Sequence, residues 1–534
     1  MLKPDQQFLM DQLADAARMG RVSRRSFMST AMAAGITATT ATGVWTTQAK
    51  AQPKSGGTYR CAQHDGNTSD THDMGVYQSN FDISLVHTHR SFLTMINQDG
   101  SIGPDLAKEW SATEDAAEWT FVLQDGATFH SGAPVTANDV VASMNYHRGE
   151  DSGSAAKALL ATVEDITDNG DNSVTFKLAS GNADLPWLLT DYHLCVVPAN
   201  ADGTANWQSG DGSGPYKIEE LEFGVGARLS RHDGWHGEGA YFDECEFTVI
   251  NDPNARQTAL ITGDADSASL LESKTLGLMA RNPDIEIDNV PSGQAITMPM
   301  HVDTAPFDIP EVRMALKLAI NREELIEKIT FGAATIGNDF HHSPAQPYFP
   351  DIEQRQYDPD QAKSLLASVG MEGLTVDFST ADSITTGAVD AAVLFAEHAK
   401  AAGITVNVVR EPNDGYWSDV WLVKPFCMVT WGSRPTPDVM YTLAYASGAA
   451  WNESRWQNER FNELLLQAKG ELDDALRAEM YAEMATLARD DGGTIIPYFP
   501  NFVYGRRATC QHGGTVSPAW QMDGYRHASR WWFA

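Results

Sequence analysis

The chain has 534 residues, 42% hydrophobic and 20% charged, a globular balance in a chain too long for one core. Single cores stop growing near ~250–300 residues, so two or three lobes are expected. The formal net charge of −33 repels nucleic acid and anionic headgroups and excludes both as partners, and no internal stretch reaches the ~20 apolar residues of a membrane-spanning helix.

The first fifty residues read as an export leader. Ser23-Arg24-Arg25-Ser26-Phe27-Met28 is a twin-arginine pattern, an Ala/Thr-rich run extends from Met28 to Trp45, and Ala49-Lys50-Ala51 puts small residues where a signal peptidase reads them. Cleavage is expected after Ala51, with no cysteine there to carry a lipid, which makes the mature chain a soluble periplasmic protein. Removing residues 1–51 takes away six basic and three acidic residues and brings the net charge to −36. The five cysteines (Cys61, Cys195, Cys245, Cys427 and Cys510) form no C-x-x-C. At least one is unpaired within a monomer, and the pairing of the others stays open.

In chain order, residues 56–62 read as an opening strand, followed by strands at 119–123 and 173–178 that alternate apolar and polar residues. Between them, Thr136 is the N-cap of a helix to His147 with Val140, Met144 and His147 on one stripe. Residues 214–250 read as a β-meander, and a helix from Pro253 to about Ile261 ends at Gly263. Beyond 296 the pattern alternates. Helices are expected at 312–320, 322–331 and 360–369, a strand at 374–378, a helix at 389–402 with Val389, Val393 and Ala396 on its face, and strands at 403–409 and 426–431. The helix between two strands within short loops marks an α/β unit. A long helix is expected over 473–490.

Several of these segments carry a resemblance. Gly214-Pro215-Tyr216-Lys217, the Asp233-Gly-Trp235 turn and Asn251-Asp-Pro-Asn-Ala-Arg256 running to Gly263-Asp-Ala-Asp266 resemble the core signature of the oligopeptide/dipeptide/nickel-type (family 5) solute-binding proteins of ABC importers. Asp99-Gly100 through Pro104 to Trp110, Phe129 to Val140, Val312 to Leu316 with Ala319 to Arg322, and Trp451 through Arg460-Phe461-Asn462 fit in family order. The resemblance covers nearly the whole mature chain. It implies an α/β bilobal periplasmic-binding-protein fold of class II, a three-lobe, two-hinge clamshell. Lobe I would comprise 52–89, 191–275 and 496–534, lobe II (the family-specific extra lobe) 90–190, and lobe III 276–495. It further implies a monomer that binds a small molecule or peptide, delivers it to a permease and ATPase, meets the membrane only through that permease, and is not an enzyme.

In peptide-binding relatives an aspartate three residues after the tryptophan corresponding to Trp431 grips the peptide amino terminus. Here that position is Arg434, in Trp431-Gly-Ser-Arg434-Pro435-Thr-Pro437-Asp438. A guanidinium reverses the preferred ligand charge and suits bidentate carboxylate or phosphate recognition, so an anionic or zwitterionic, opine-like ligand competes with a short peptide. The alternative is internal pairing of Arg434 with Asp438. Trp417, Trp451, Asn452, Trp431 and Tyr445 are further ligand candidates, because rigid aromatics give large contact area at low entropic cost. Met74 and Tyr77 join them by following Asp70-Thr71-His72, which stands where relatives carry Asp-Pro-His. His87-Thr88-His89 would point two imidazoles to one side of a strand, and His341-His342 lie in a loop; neither has the Cys or carboxylate company of a closed metal site, so no metal and no cofactor are expected. No G-x-S-x-G, H-E-x-x-H or G-x-x-x-x-G-K-[ST] motif occurs, so no catalytic residue is assigned. The competing classes are a secreted enzyme and a periplasmic ligand sensor on the same fold.

Overall fold

The computed structural model describes residues 53–534 apart from 383, 386 and 413–415, together with residues 28, 30, 31 and 34. The twin-arginine pair and the cleavage position after Ala51 lie outside the described residues. Among those described, no helix is long and apolar enough to cross a membrane.

The three largest sheets organise the main cores. The first has seven strands in the order Ile285–Val290, Phe502–Arg507, Ser267–Ala268, Thr58–Gln63, Glu244–Val249, Gly226–Arg231 and Tyr216–Glu222. The opening strand lies centrally, parallel to Glu244–Val249, and the expected meander closes one edge with antiparallel pairs. The helix Pro253–Thr262 packs on this sheet and stops at Gly263, whose φ of 85° is a left-handed cap that a side chain would strain. The second sheet is antiparallel, in the order Ala107–Ala112, Glu118–Leu123, Ser173–Leu178 and Val163–Asp168. Trp119, Phe121 and Leu123 alternate into its core beside Val174, Phe176 and Leu178. Over it lies the helix Ala137–Tyr146, capped at Thr136, whose backbone N–H donates to Asp139 Oδ2 at 2.8 Å.

The third sheet, antiparallel, runs Ala334–Ile336, Thr494–Pro500, Ala295–Pro299 and Val429–Trp431. A parallel bridge from Ser379 to Cys427 joins it to the parallel pair Thr375–Thr380 and Thr405–Arg410. The helix Ala388–Lys400 links that pair and completes the expected α/β unit. Its buried face differs from the expected one. Val393 is exposed and Val389 half-buried, whereas Ala388, Ala391, Ala392, Phe395 and Ala399 are buried with Ala396. Small residues let the helix axis approach the sheet, and that close approach decides the face more strongly than branched residues do.

Two strand pairings reach across the expected lobe boundaries. Ile285–Val290 falls in the expected lobe III but pairs with Phe502–Arg507 in the first sheet. Thr494–Pro500 straddles the expected return to lobe I but pairs with Ala295–Pro299 in the third. Periodicity detects a strand and is blind to its partner. The chain therefore passes between the first and third sheets at residues 291–294 and again at Asn501. The largest core draws all its buried members from residues 295–499.

A buried ion cluster joins the first and second sheets' segments. Asp105 accepts from Arg526 Nη2 at 3.0 Å and lies 2.9 Å from His236 Nε2. Burial alone would raise its pKa, yet these two partners hold it below the usual carboxylate range. The first two sheets are thus joined into one body, and the third sheet with the core of residues 295–499 forms the other.

All five cysteines are buried free thiols, and burial pushes Cys61 up to about 12. A thiol reagent should label none of them in the folded chain at pH 8 and all five after denaturation; fast labelling of any native thiol would contradict this packing.

Candidate functional site

A cavity of about 580 Å³ lies where the two bodies face each other. The segment expected as lobe III contributes Arg434 and Trp451, lobe II Trp187, and lobe I Asp191, Tyr192 and Trp520. Arg434 reaches it because the strand Val429–Trp431 ends there and Pro437 starts the helix Pro437–Ala444; prolines at 435 and 437 cannot continue the ladder. The backbone is pinned by Gln346, whose Nε2 donates to Arg434 O at 2.7 Å. A Cβ on Gly293, in the hinge crossing, would run into Ser433 Oγ, so this glycine lets the hinge pass beneath the same loop.

The Arg434 guanidinium donates through Nη1 to Gly432 O at 3.2 Å and Ser433 O at 2.9 Å, both in its own turn. It is not hydrogen-bonded to Asp438, which removes the internal pair weighed from sequence. Burial lowers its pKa, against the attraction of Asp191 and Tyr192 across the cavity. Asp191 is itself held, accepting from the His193 backbone N–H at 3.0 Å with His193 Nδ1 at 2.7 Å. A cation thus faces a fixed carboxylate over open space lined largely by apolar surface.

Of the eight residues singled out in the sequence, Arg434 and Trp451 line this cavity and the other six do not. Trp451 is 42% exposed. Trp417 is 45% exposed but sits on the short helix Tyr416–Asp419, its ring 5.8 Å from Trp421. Trp431 and Tyr445 are core residues, and the Tyr445 hydroxyl lies 2.7 Å from His341 Nδ1. Asn452 is spent on the backbone, donating to Trp456 O at 2.7 Å and Tyr445 O at 3.3 Å. Met74 and Tyr77 are buried where lobes I and II meet. The Tyr77 hydroxyl accepts from Arg90 Nη1 at 2.6 Å, and its carbonyl lies 3.1 Å from His193 Nε2. Tyr77 therefore supports a cavity residue without reaching the cavity. Trp187, Asp191, Tyr192 and Trp520 went unnoticed in the sequence. The run Asp191-Tyr-His193 is polar and aromatic just before a buried strand-like segment, a signal that becomes readable only once lobe II is folded against lobe I.

Behind Trp451 lies a buried carboxylate. Glu453 Oε2 accepts from Trp431 Nε1 at 3.0 Å and Trp421 Nε1 at 3.1 Å, and Oε1 from Thr297 Oγ1 at 2.7 Å. Burial pushes its pKa up to about 7 against these three donors. Trp451 packs on both indoles, with ring centroids 6.0 Å from Trp431 and 5.8 Å from Trp421. Glu453 therefore fixes the two rings that back the cavity wall.

The histidines fall otherwise than expected. His87 and His89 lie on the helix Asn80–His89, not on a strand, and each Nδ1 sits 2.8 Å from the carbonyl four residues back, at Ile83 and Leu85. His342 Nε2 is 2.7 Å from Pro347 O. Among the described residues no group of three or more His, Cys, Asp or Glu is arranged to hold a metal ion.

Residues 101–453 match the family model of the bacterial extracellular solute-binding proteins, family 5 (middle region). The chain belongs to this family. Its members are substrate-binding transport proteins of the periplasm or cell exterior, not enzymes. The chain is similar to the nickel-binding periplasmic protein of Escherichia coli K12, 28% identical over 52% of this chain and 55% of that protein. It is also similar to the dipeptide-binding protein of the same organism, 22% identical over 74% of this chain and 80% of that one. The alignments thus span about half of the first relative and four-fifths of the second. Among solved structures, HbpA2 from Haemophilus parasuis superposes with a TM-score of 0.78 at 18% identity, covering 88% of this chain and 99% of that one. AgaA from A. tumefaciens R10, in complex with agropinic acid, superposes with a TM-score of 0.70 at 20% identity, covering 90% and 99%. These family 5 neighbours share the mixed α/β periplasmic-binding fold.

Replacing the indole-pinning carboxylate, as Glu453→Ala, should leave two buried indole N–H groups and a hydroxyl unpaired. The expected loss of stability is about 2–4 kcal/mol in urea unfolding, with a changed tryptophan emission spectrum. A loss within ~0.5 kcal/mol would show that the network is not strained by its removal.

Proposed function

We propose that this chain is the periplasmic substrate-binding component of an ABC importer, capturing a short peptide or an amino-acid-derived anionic or zwitterionic molecule between its two bodies. The observation that carries this reading is Arg434. It is a guanidinium in the interlobe cavity whose hydrogen bonds go to its own turn and to no carboxylate. An incoming carboxylate gains charge-assisted bonds there, and gains them together with contacts from the opposite body only when the bodies close. Cavity size fits, since ligand pockets of ~300–1,000 Å³ are typical of small molecules. Support for the ligand class comes from two relatives, one named for dipeptide binding and one solved with agropinic acid.

Handing the ligand to a permease and ATPase follows from closure. A closed clamshell presents a surface across both bodies that an open one lacks, so a transporter can distinguish loaded from empty protein. The chain acts as a monomer in this reading. Export by the twin-arginine route, with the leader removed near Ala51, is favoured by the five buried thiols. A chain that folds in the reducing cytoplasm enters the oxidising periplasm with its cysteines already enclosed.

Mass spectrometry of molecules released from the purified protein should yield a carboxylate-bearing compound that shifts the melting temperature and shrinks the scattering radius of the stripped chain. Arg434→Ala should weaken that compound about ten- to hundredfold in calorimetry, and Arg434→Lys less. Unchanged affinity in Arg434→Ala would remove the anion clamp, and chemical consumption of the compound would overturn the importer reading.

A further inference from the structure

The seam beside the cavity, where lobe II meets lobe III, brings two carboxylates from opposite bodies to one guanidinium. Asp184 stands at the start of the lobe II helix Leu185–Leu188, and its Oδ1 accepts from Arg477 Nη2 at 2.5 Å. The two side chains are 1% and 3% exposed. Asp184 Oδ2 also accepts from Thr436 Oγ1, at the cap of the helix that carries Asp438. Next to it the Ala183 backbone N–H donates to Lys469 O at 2.8 Å, a further bond between the bodies.

Arg477 is fully committed. Besides Asp184 it donates to Ala468 O at 3.2 Å and to the hydroxyls of Tyr348 and Tyr481 at 3.1 Å each, with both phenol rings against its guanidinium. Asp438 is left over. It is buried, it lines the cavity, and its Oδ1 has no hydrogen-bond partner. The charged groups facing it are Asp184 from lobe II, Lys469 from the helix Glu459–Gly470 and Arg477 from the helix Asp474–Asp490, and Tyr481 on that last helix also feels its charge. Asp184 repels it, and the two cations only partly offset that repulsion and the loss of water.

We propose that closing the two bodies takes up one proton at Asp438, so that the open–closed equilibrium, with or without ligand, shifts toward closed as the pH falls. This rests on the reading of the chain as a clamshell that opens. With the bodies apart, lobe II carries Asp184 away and water reaches Asp438, which then titrates as an ordinary carboxylate near ~3.9. With the bodies together, burial first and Asp184 second push it up to about 7. The group's affinity for a proton is thus raised by closure. Its contribution to the closed state is fully present below the open-state pKa and is lost as pH rises through about 7. The closing constant should therefore grow about tenfold between pH 8 and pH 6.

Small-angle scattering of the ligand-stripped, full-length mature chain, titrated from pH 8.5 to 5.5 at fixed ionic strength, tests this directly. The wild type should become progressively more compact on acidification below about pH 7, with a closing constant about tenfold larger at pH 6 than at pH 8, and Asp438→Asn should be nearly indifferent to pH across that range. Asp184→Asn should favour the open form throughout. A flat wild-type profile, or an Asp438→Asn profile that follows the wild type, would overturn the proton coupling. The wild-type titration decides the matter alone should a variant fail to fold. A flat profile in a chain that still compacts on adding its released compound leaves the importer reading intact, whereas failure to compact under every condition overturns both.

Discussion

Separation of the third core from the first two governs everything else in this molecule. Among the described residues the chain crosses between the bodies at 291–294 and at Asn501, and these crossings lie side by side. Ser292 Oγ donates to Pro500 O at 2.5 Å, and Asn501 Nδ2 reaches Asn289 Oδ1 at 2.9 Å. These hydrogen bonds tie the two crossings to each other. Each body has a core of its own. The space between them is therefore free to be a binding site, and opening it costs the seam contacts of Asp184 with Arg477 and Thr436.

Two arginines on lobe III show how burial and partners divide labour. Arg477 has an acceptor for each part of its fork and a carboxylate at 2.5 Å, so it is a component of the interface. Arg434 is turned onto the carbonyls of its own loop and meets Asp191 only across open space. Similar groups in one lobe thus take up different work: the first holds the bodies to each other, while the second waits for something that enters between them. Glu453 serves the second task at one remove, spending a buried carboxylate on the orientation of two indoles behind Trp451.

Much of the architecture was legible in the linear pattern. Alternation found the strands at 119–123 and 173–178, Thr136 and Gly263 set helix ends, and the parallel pairing of Thr375–Thr380 with Thr405–Arg410 follows from the helix between them. These are short-range facts, fixed by sterics and hydrogen bonding within about a dozen residues. Strand partners were not legible, because a strand's partner can be two hundred residues away, as Ile285–Val290 and Phe502–Arg507 are.

The same divide runs through the site. Sequence by itself determined that a cationic side chain follows the strand ending at Trp431, because a strand stopped by proline must release the next residues into a loop. It also determined that aromatic residues cluster nearby. Only the tertiary structure decided which aromatics face the cavity and which, like Trp431 and Tyr445, are packed behind it. Apolar periodicity is identical for a ring that covers a core and a ring that lines a cleft. The distinction is made by what stands on the other side, and here that is a second body folded from distant parts of the chain.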